Sequence, residues 1–179
     1  DRVLSARFRT EGDVNAWKQA ADLVMGMGRI DLQAIVAASF AAPLVYFSGQ
    51  SGVMFSAYSP ESGVQKSTAM KVAASVWCDP VGGMSRLDDT VNHVGKKLGQ
   101  RRHLPIFWDE LHHKAEAEQF AKLGFALTLG TEKGRLGQNA DMKESGSWAT
   151  MLIVASNPGV RQVMLEGTAG NSAAGVNRL

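Results

Sequence analysis

The chain has 179 residues, 45% hydrophobic and 20% charged, which is sufficient for one domain with a buried core. Its formal net charge of +2 excludes a general electrostatic attraction to nucleic acid, so any such contact must be local. The single cysteine excludes a disulfide framework and fits a cytoplasmic setting, and we see no membrane-spanning run and no signal peptide. The start without methionine indicates a fragment of a longer protein.

Residues 1–45 are predicted to form an arm followed by a small helical lead-in. A helix over residues 13–27 has one apolar face and begins with an aspartate, a typical N-cap. Asp31 is expected to cap a second helix, whose run over residues 35–42 is apolar nearly all round and should therefore be buried. These helices are expected to pack on a core that occupies residues 46–179 and is truncated at its C-terminus.

The most informative segment, residues 59–68, is a variant of the phosphate-binding pattern G-x-x-x-x-G-K-[S/T]. Lys66 and Ser67 occupy the lysine and hydroxyl positions of this pattern. Pro60 and Gln65 stand where the pattern has glycines. Gln65 would need a backbone conformation that glycine adopts more easily, at a cost of about 1–2 kcal/mol. In the pattern, the lysine reaches the outer phosphates and the hydroxyl ligates Mg²⁺.

The elements on either side of this segment favour the phosphate-binding interpretation. Residues 53–58 are an apolar run that predicts a buried strand, and residues 66–77 have apolar positions at helical spacing. The segment therefore joins a strand to a helix N-terminus, where backbone N–H groups and the helix dipole attract an anion. The alternative is an ordinary strand–turn–helix with a surface lysine. The predicted nucleotide-binding residues are Gly63, Val64, Gln65, Lys66, Ser67 and Thr68.

Two further apolar runs end in polar residues. Residues 104–108 precede Asp109 and Glu110, the form of a Walker B strand in which Asp109 holds Mg²⁺ and Glu110 polarises the attacking water. Residues 151–157 predict a third buried strand, and Asn157 at its end resembles the sensor 1 residue of AAA+ ATPases. The alternatives are that the acidic pair merely starts a helix and that the asparagine belongs to an Asn-Pro-Gly turn.

In this order, the three patterns resemble the ATPase core of phage- and plasmid-type helicases, in the neighbourhood of superfamily 3 and AAA+. The chain is similar in particular to a domain family found in prophage helicase and primase-helicase proteins. The similarity covers residues 49–179 and is carried by SGVQKSTAMKVAASVW, RLDDTVN, LPIFWDEL, GTEKGRL and the ASN of residues 155–157.

The resemblance implies an enzyme that hydrolyses ATP with Mg²⁺. Lys66 would then neutralise phosphate charge, and Glu110 would activate the attacking water. Asn157 would hydrogen-bond the γ-phosphate or that water. The resemblance also implies a homo-oligomeric ring, a hexamer, that moves along single-stranded DNA.

Further residues are implied to contact DNA and the neighbouring subunit. Lys133 and Arg135 occupy the interval in which this family has a basic hairpin that grips single-stranded DNA, although a solvated surface loop is the alternative. Such ATPases complete each site with an arginine from the next subunit. Arg178 and Arg161 are the candidates, and Arg178 fits the family's late arginine better.

Strands that alternate with helices predict an α/β fold with a parallel sheet and helices on both faces. The resemblance makes this a P-loop NTPase core of the ASCE/AAA+-like type. The other expected elements are strands near residues 84–87 and over 125–129, and helices over 89–100 and 110–123. Lys66, Asp109 and Asn157 should then meet at the carboxyl ends of the strands.

Three functions are compatible with these patterns. The leading hypothesis is a helicase or translocase motor of a phage or mobile-element replication protein. The alternative, which Pro60 and Gln65 favour, is a degenerate P-loop module that binds nucleotide without turnover and serves assembly or partner docking. A third option is a protein-remodelling AAA+ enzyme, for which we find no aromatic-hydrophobic pore loop in the sequence.

Overall fold

The computed structural model of the chain describes residues 8–85, 91–109, 114–132 and 146–167. The helices in these ranges are α1 (Val14–Gly26), α2 (Ile30–Ala41), a 3-10 helix (Ala42–Ser48), α3 (Lys66–Ser75), α4 (Val91–Arg101), α5 (Lys114–Leu129) and α6 (Val160–Gly167). The strands are β1 (Gly52–Tyr58), β2 (Ile106–Asp109) and β3 (Thr150–Ser156).

The three strands of the described ranges form one parallel sheet in the order β1, β3, β2. Tyr58 at the end of β1 pairs with Ser156 at the end of β3. Asp109 at the end of β2 pairs with Ala155. The carboxyl ends of the strands therefore lie at one edge of the sheet, with β3 in the centre. The predicted parallel α/β fold is confirmed, with a small sheet.

Both faces of the sheet are covered by helices. Successive side chains of a strand point to opposite faces, so each strand contributes to two cores. On one face, Phe107 and Ile153 share a buried cluster with residues of α2 and α3. On the other face, Trp108 and Leu152 share a buried cluster with residues of α4, α5 and α6.

Helix α2 and the following 3-10 helix form a continuous stretch, Ile30–Ser48, that is apolar enough to cross a membrane by length and composition alone, with a mean hydropathy of 1.6. By itself this does not show a membrane span, because a core helix that packs inside a protein meets the same criterion. Leu32, Ile35 and Val36 of this stretch are buried in the cluster that covers one face of the sheet. Packing on the sheet accounts for the apolar residues on this side of the stretch, whereas Ile30 and Phe47 are exposed.

The two N-terminal helices begin in different ways. Asp13 caps α1, because its carboxylate accepts a hydrogen bond from the Asn15 N–H at 2.9 Å. Asp31 does not cap α2, contrary to the prediction, because it lies in the first turn and Arg29 is the N-cap residue. The Asp31 carboxylate accepts two hydrogen bonds from the guanidinium of this N-cap residue, at 2.6 and 2.9 Å.

Residues 125–129 are helical, so the strand predicted there is wrong. They form the end of α5, which is 16 residues long. Phe120, Leu123 and Leu127 are buried and recur at intervals of three and four residues, so they form one side of a buried helix. A short apolar run fits a strand and a buried helix equally well, and only the length of the element separates them.

Two other predicted elements are described in part. Near residues 84–87, where a strand is expected, Ser85 forms an isolated parallel bridge with Trp108, and residues 86–90 lie outside the described residues. The helix expected from residue 110 is described from the start of α5, since residues 110–113 also lie outside.

Phe107→Ala should lower the free energy of unfolding by about 3–5 kcal/mol, because a ring that is 0% exposed would leave a cavity against the sheet. The matched control is Phe47→Ala. The Phe47 ring is 80% exposed, so its loss should change the free energy of unfolding by no more than about 0.5 kcal/mol. Urea unfolding monitored by circular dichroism measures both values, and equal effects would contradict the assigned core.

Candidate nucleotide-binding site

The loop between β1 and α3 contains two residues with left-handed backbone. Gly63 has a φ of 77° and Gln65 has a φ of 71°. Glycine adopts this conformation readily, whereas a residue with a Cβ adopts it at a cost of about 1–2 kcal/mol. The conformation expected of Gln65 is therefore present, and it lies directly before the first residue of α3.

The side chain of Lys66 connects the loop to the end of β3. Its Nζ donates hydrogen bonds to the carbonyl oxygens of Ser59 and Glu61, both at 3.2 Å. It also donates to Oδ1 of Asn157 at 3.3 Å. The loop itself starts beside β3, because the Ser59 N–H donates to the carbonyl oxygen of Ser156 at 3.3 Å. The ammonium group is thus placed at the carboxyl edge of the sheet.

A second contact connects α3 to β2. Ser67 Oγ donates a hydrogen bond to Oδ1 of Asp109 at 2.9 Å. Ser67 is exposed and Asp109 is half-buried, so the pair is accessible to a ligand. Lys66 and Ser67 are consecutive, so both contacts start from the first turn of α3. Of the three residues expected to meet, Lys66 contacts Asn157 directly, and Asp109 is connected to the same helix end through Ser67.

Lys66, Ser67 and Asn157 line a cavity of about 250 Å³ at the N-terminus of α3. In an α-helix the N–H groups of the first turn have no intrahelical acceptor, and the N-terminal end of the dipole is positive. Lys66 adds a full positive charge, and the first turn of α3 contains no acidic residue. The cavity is therefore suited to a phosphate-sized anion. Its lining is formed by Ser62, Gly63, Val64, Gln65, Lys66, Ser67, Thr68 and Asn157.

The donor atoms beside this cavity also suit a magnesium ion. Ser67 and Asp109 offer a hydroxyl and a carboxylate oxygen, the hard ligands that Mg²⁺ prefers. Among the described residues, no group of three or more histidine, cysteine, aspartate or glutamate side chains could hold a metal. A Mg²⁺ ion at Ser67 and Asp109 would therefore take most of its ligands from phosphate and water.

Four of the predicted site residues lie outside the described residues, namely Glu110, Lys133, Arg135 and Arg178. Their roles therefore stay predictions from the sequence. In the sequence, Glu110 directly follows Asp109, the last residue of β2.

A second cavity, of about 710 Å³, is lined by Arg161 and by Tyr58, a residue that the sequence patterns do not single out. Tyr58 is the last residue of β1 and directly precedes the loop. Its side chain is 63% exposed, although it belongs to an apolar run that predicts burial. An aromatic residue at the point where a strand meets a phosphate-binding loop is the signal that could have identified it.

Residues 1–147 match a family described as "Domain of unknown function (DUF927)". A solved structure titled "SCCmec type IV Cch - active helicase" is similar to the chain, with a TM-score of 0.63 and 22% sequence identity. The similarity covers 86% of this chain and 28% of that chain, so this chain corresponds to one part of the helicase. At this identity the comparison shows a shared fold. No curated protein matches the sequence.

Gly63→Ala should lower the free energy of unfolding by about 1–2 kcal/mol, because a Cβ is unfavourable at a φ of 77° even though it would meet no atom within 4 Å. Gln65→Gly should instead raise the free energy of unfolding by up to about 1 kcal/mol. The relief of backbone strain is partly offset, because a glycine adds conformational entropy to the unfolded chain. Thermal unfolding of both variants measures the difference. Equal losses in the two variants would show that backbone strain does not govern this loop.

Proposed function

We propose that this chain, which belongs to the DUF927 family of domains of unknown function, is the motor domain of a DNA helicase or translocase. It would hydrolyse ATP with Mg²⁺ in the cytoplasm, as part of a phage or mobile-element replication protein. One observation carries the proposal: Lys66 and Asn157 meet at a cavity on the carboxyl edge of the sheet, and Ser67 of the same cavity lining donates a hydrogen bond to Asp109.

The triphosphate of ATP is the anion that fits these groups in a P-loop site. The Lys66 ammonium and the first-turn N–H groups of α3 would bind oxygens of the outer phosphates. The Asn157 side chain, 3.3 Å from Lys66 Nζ, would hydrogen-bond the γ-phosphate or the attacking water. Donors held in place by the fold stabilise the charge of the transition state without reorganising.

Ser67 and Asp109 would hold the magnesium ion beside the phosphates. Bound there, Mg²⁺ supplies positive charge that screens the phosphate oxygens. Glu110 would accept a proton from the water that attacks the γ-phosphorus, and the products would be ADP and inorganic phosphate. The order of the two acids matches this division, because Asp109 ends the strand and Glu110 lies one residue further.

The fold shared with a helicase supports a nucleic-acid motor rather than another kind of ATPase. Lys133 and Arg135 would bind backbone phosphates of single-stranded DNA. Because the net charge of the chain is only +2, DNA binding would depend on such local charges. Subunits would assemble into a hexameric ring, in which Arg178 reaches the site of its neighbour.

The second candidate is a module that binds nucleotide without turnover, and the backbone of Gln65 favours it. A residue with a side chain occupies the left-handed position where the pattern has glycine, which restricts how closely phosphate can approach. Phosphate release, measured with and without single-stranded DNA, separates the two candidates. Continuous release supports the motor, and nucleotide binding without release supports the module.

In the full-length protein, Lys66→Ala should lower kcat for ATP hydrolysis by about 10²–10³-fold, because a group that stabilises transition-state charge is lost. Lys71→Ala is the matched control, since Lys71 lies exposed on the same helix outside the cavity lining, and it should leave kcat unchanged. Steady-state phosphate release measures both. An unchanged rate in Lys66→Ala would exclude the proposed site.

Replacing both Lys133 and Arg135 by alanine should weaken the binding of single-stranded DNA and flatten its salt dependence. Each lost phosphate contact reduces the slope of log K against log[salt] by about 0.7, so the slope should fall by about 1.4. Fluorescence anisotropy at several salt concentrations measures the slope, with Lys96→Ala, an exposed lysine of α4, as the control. An unaltered slope would remove both residues from the DNA surface and leave the ATPase proposal in place.

A further inference from the structure

Two adjacent aromatic side chains are exposed at the end of the 3-10 helix that precedes β1. Tyr46 is 59% exposed and Phe47 is 80% exposed. Their rings contact each other edge to face, with the ring centroids 5.4 Å apart. Because so little of Phe47 is buried, its ring contributes little to the core and is accessible to a ligand.

The Tyr46 ring also contacts the turn between α4 and β2. Its centroid lies 4.8 Å from that of the His103 ring. His103 Nδ1 lies 3.1 Å from the carbonyl oxygen of Ala149, the residue before β3. The Ala149 N–H donates a hydrogen bond to the carbonyl oxygen of Arg102 at 3.3 Å. The aromatic pair is therefore joined to the segments that precede all three strands, at the amino edge of the sheet.

Arg102 adds a positive charge to this edge. The residue is exposed, and among the described residues its guanidinium takes part in no hydrogen bond or ion pair. Its φ of 56° is a left-handed conformation after the end of α4, where glycine is the usual residue. A side chain is thus present at a position where it costs about 1–2 kcal/mol. The charge is available to bind an anion.

Exposed aromatic rings beside an unpaired guanidinium are suited to a single strand of nucleic acid. Bases of any identity stack on aromatic rings, and basic side chains contact the backbone phosphates. A strand supplies both partners at once, the ring faces of its bases and the negative charge of its phosphates. In a duplex the bases are stacked on one another, so a stacking surface selects single strands.

Building on the proposed function, we propose that Tyr46, Phe47 and Arg102 form a further contact surface for single-stranded DNA. A base stacks on Phe47, the Tyr46 ring supports Phe47 from the side, and Arg102 binds a backbone phosphate. This surface lies at the amino edge of the sheet, whereas the cavity beside Lys66 lies at the carboxyl edge. The strand and the nucleotide therefore bind without competing for space.

In the full-length protein, Phe47→Ala should weaken the binding of a labelled single-stranded oligodeoxynucleotide about tenfold, because a base loses its stacking partner. The salt dependence should stay the same, because no charge is removed. Phe47→Trp should retain the affinity of the wild type. Leu44→Ala is the matched control, since Leu44 is 61% exposed on the same 3-10 helix but has no aromatic ring, and it should leave the affinity unchanged.

Arg102→Gln should show the complementary signature. Losing one phosphate contact should reduce the slope of log K against log[salt] by about 0.7, whereas Arg102→Lys keeps the charge and should keep the slope. Lys18→Gln removes an exposed charge from α1 and is the matched control, with an unchanged slope. Fluorescence anisotropy at several salt concentrations measures every variant, on single-stranded DNA and on a duplex of the same sequence. Circular dichroism verifies that each variant is folded.

Unchanged binding in Phe47→Ala and Arg102→Gln would exclude this surface and leave the ATPase site and the Lys133 loop as proposed. An equal loss in Leu44→Ala, or an equal loss on the duplex, would overturn the stacking role of Phe47. If the wild type binds no single-stranded DNA, the DNA motor fails and this surface fails with it. An unchanged ATPase rate in Lys66→Ala, together with the expected losses here, would exclude the motor and retain the surface.

Discussion

The position of β3 between β1 and β2 is the constraint on which the candidate site depends. The three strands run parallel in matched register, so their carboxyl ends reach one edge of the sheet together. Asn157 follows the central strand at this edge. Asp109 ends β2 on one side, and Lys66 follows the loop after β1 on the other side. Residues separated by more than forty positions in the chain meet because backbone pairing aligns the strand ends.

The helices convert this alignment into a rigid site. Ala69 and Met70 are buried one turn after the start of α3, so the first turn of the helix is anchored against the sheet. Trp17 of α1 donates a hydrogen bond to Ser75 Oγ at 3.0 Å, which fixes the other end of α3. The N-terminal helices therefore contribute to the position of Lys66, although they carry none of the predicted site residues.

The sequence predicts the parallel α/β fold and the meeting of Lys66, Asp109 and Asn157, because both depend on local patterns that end at strand termini. It does not predict that β3 is the central strand, since strand order arises from pairing between distant segments. The strand expected at residues 125–129 fails because burial on a helix and burial in a strand select the same apolar residues.

Two smaller differences between the sequence predictions and the structure also have specific causes. Asp31 was expected at the helix end, but Arg29 competes for its carboxylate, and such pairing between side chains is not visible in a capping pattern. Tyr58 lines a groove between β1 and α6, two elements that are about a hundred residues apart, so the apolar run that contains it does not indicate its exposure. Surfaces formed by distant segments have no signature in a short stretch of sequence.

The three oxygen partners of the Lys66 ammonium have a consequence for how tightly an anion can bind. A phosphate at this lysine must compete with the two carbonyl groups of the loop and with the Asn157 amide. The net affinity is then the difference between two sets of hydrogen bonds, which is much smaller than either set taken alone. When the anion leaves, the same carbonyl and amide oxygens can replace it as acceptors for the Lys66 ammonium. This replacement shortens the time that the anion stays bound. If the site hydrolyses ATP as proposed, modest affinity with rapid exchange would favour release of the product in every cycle.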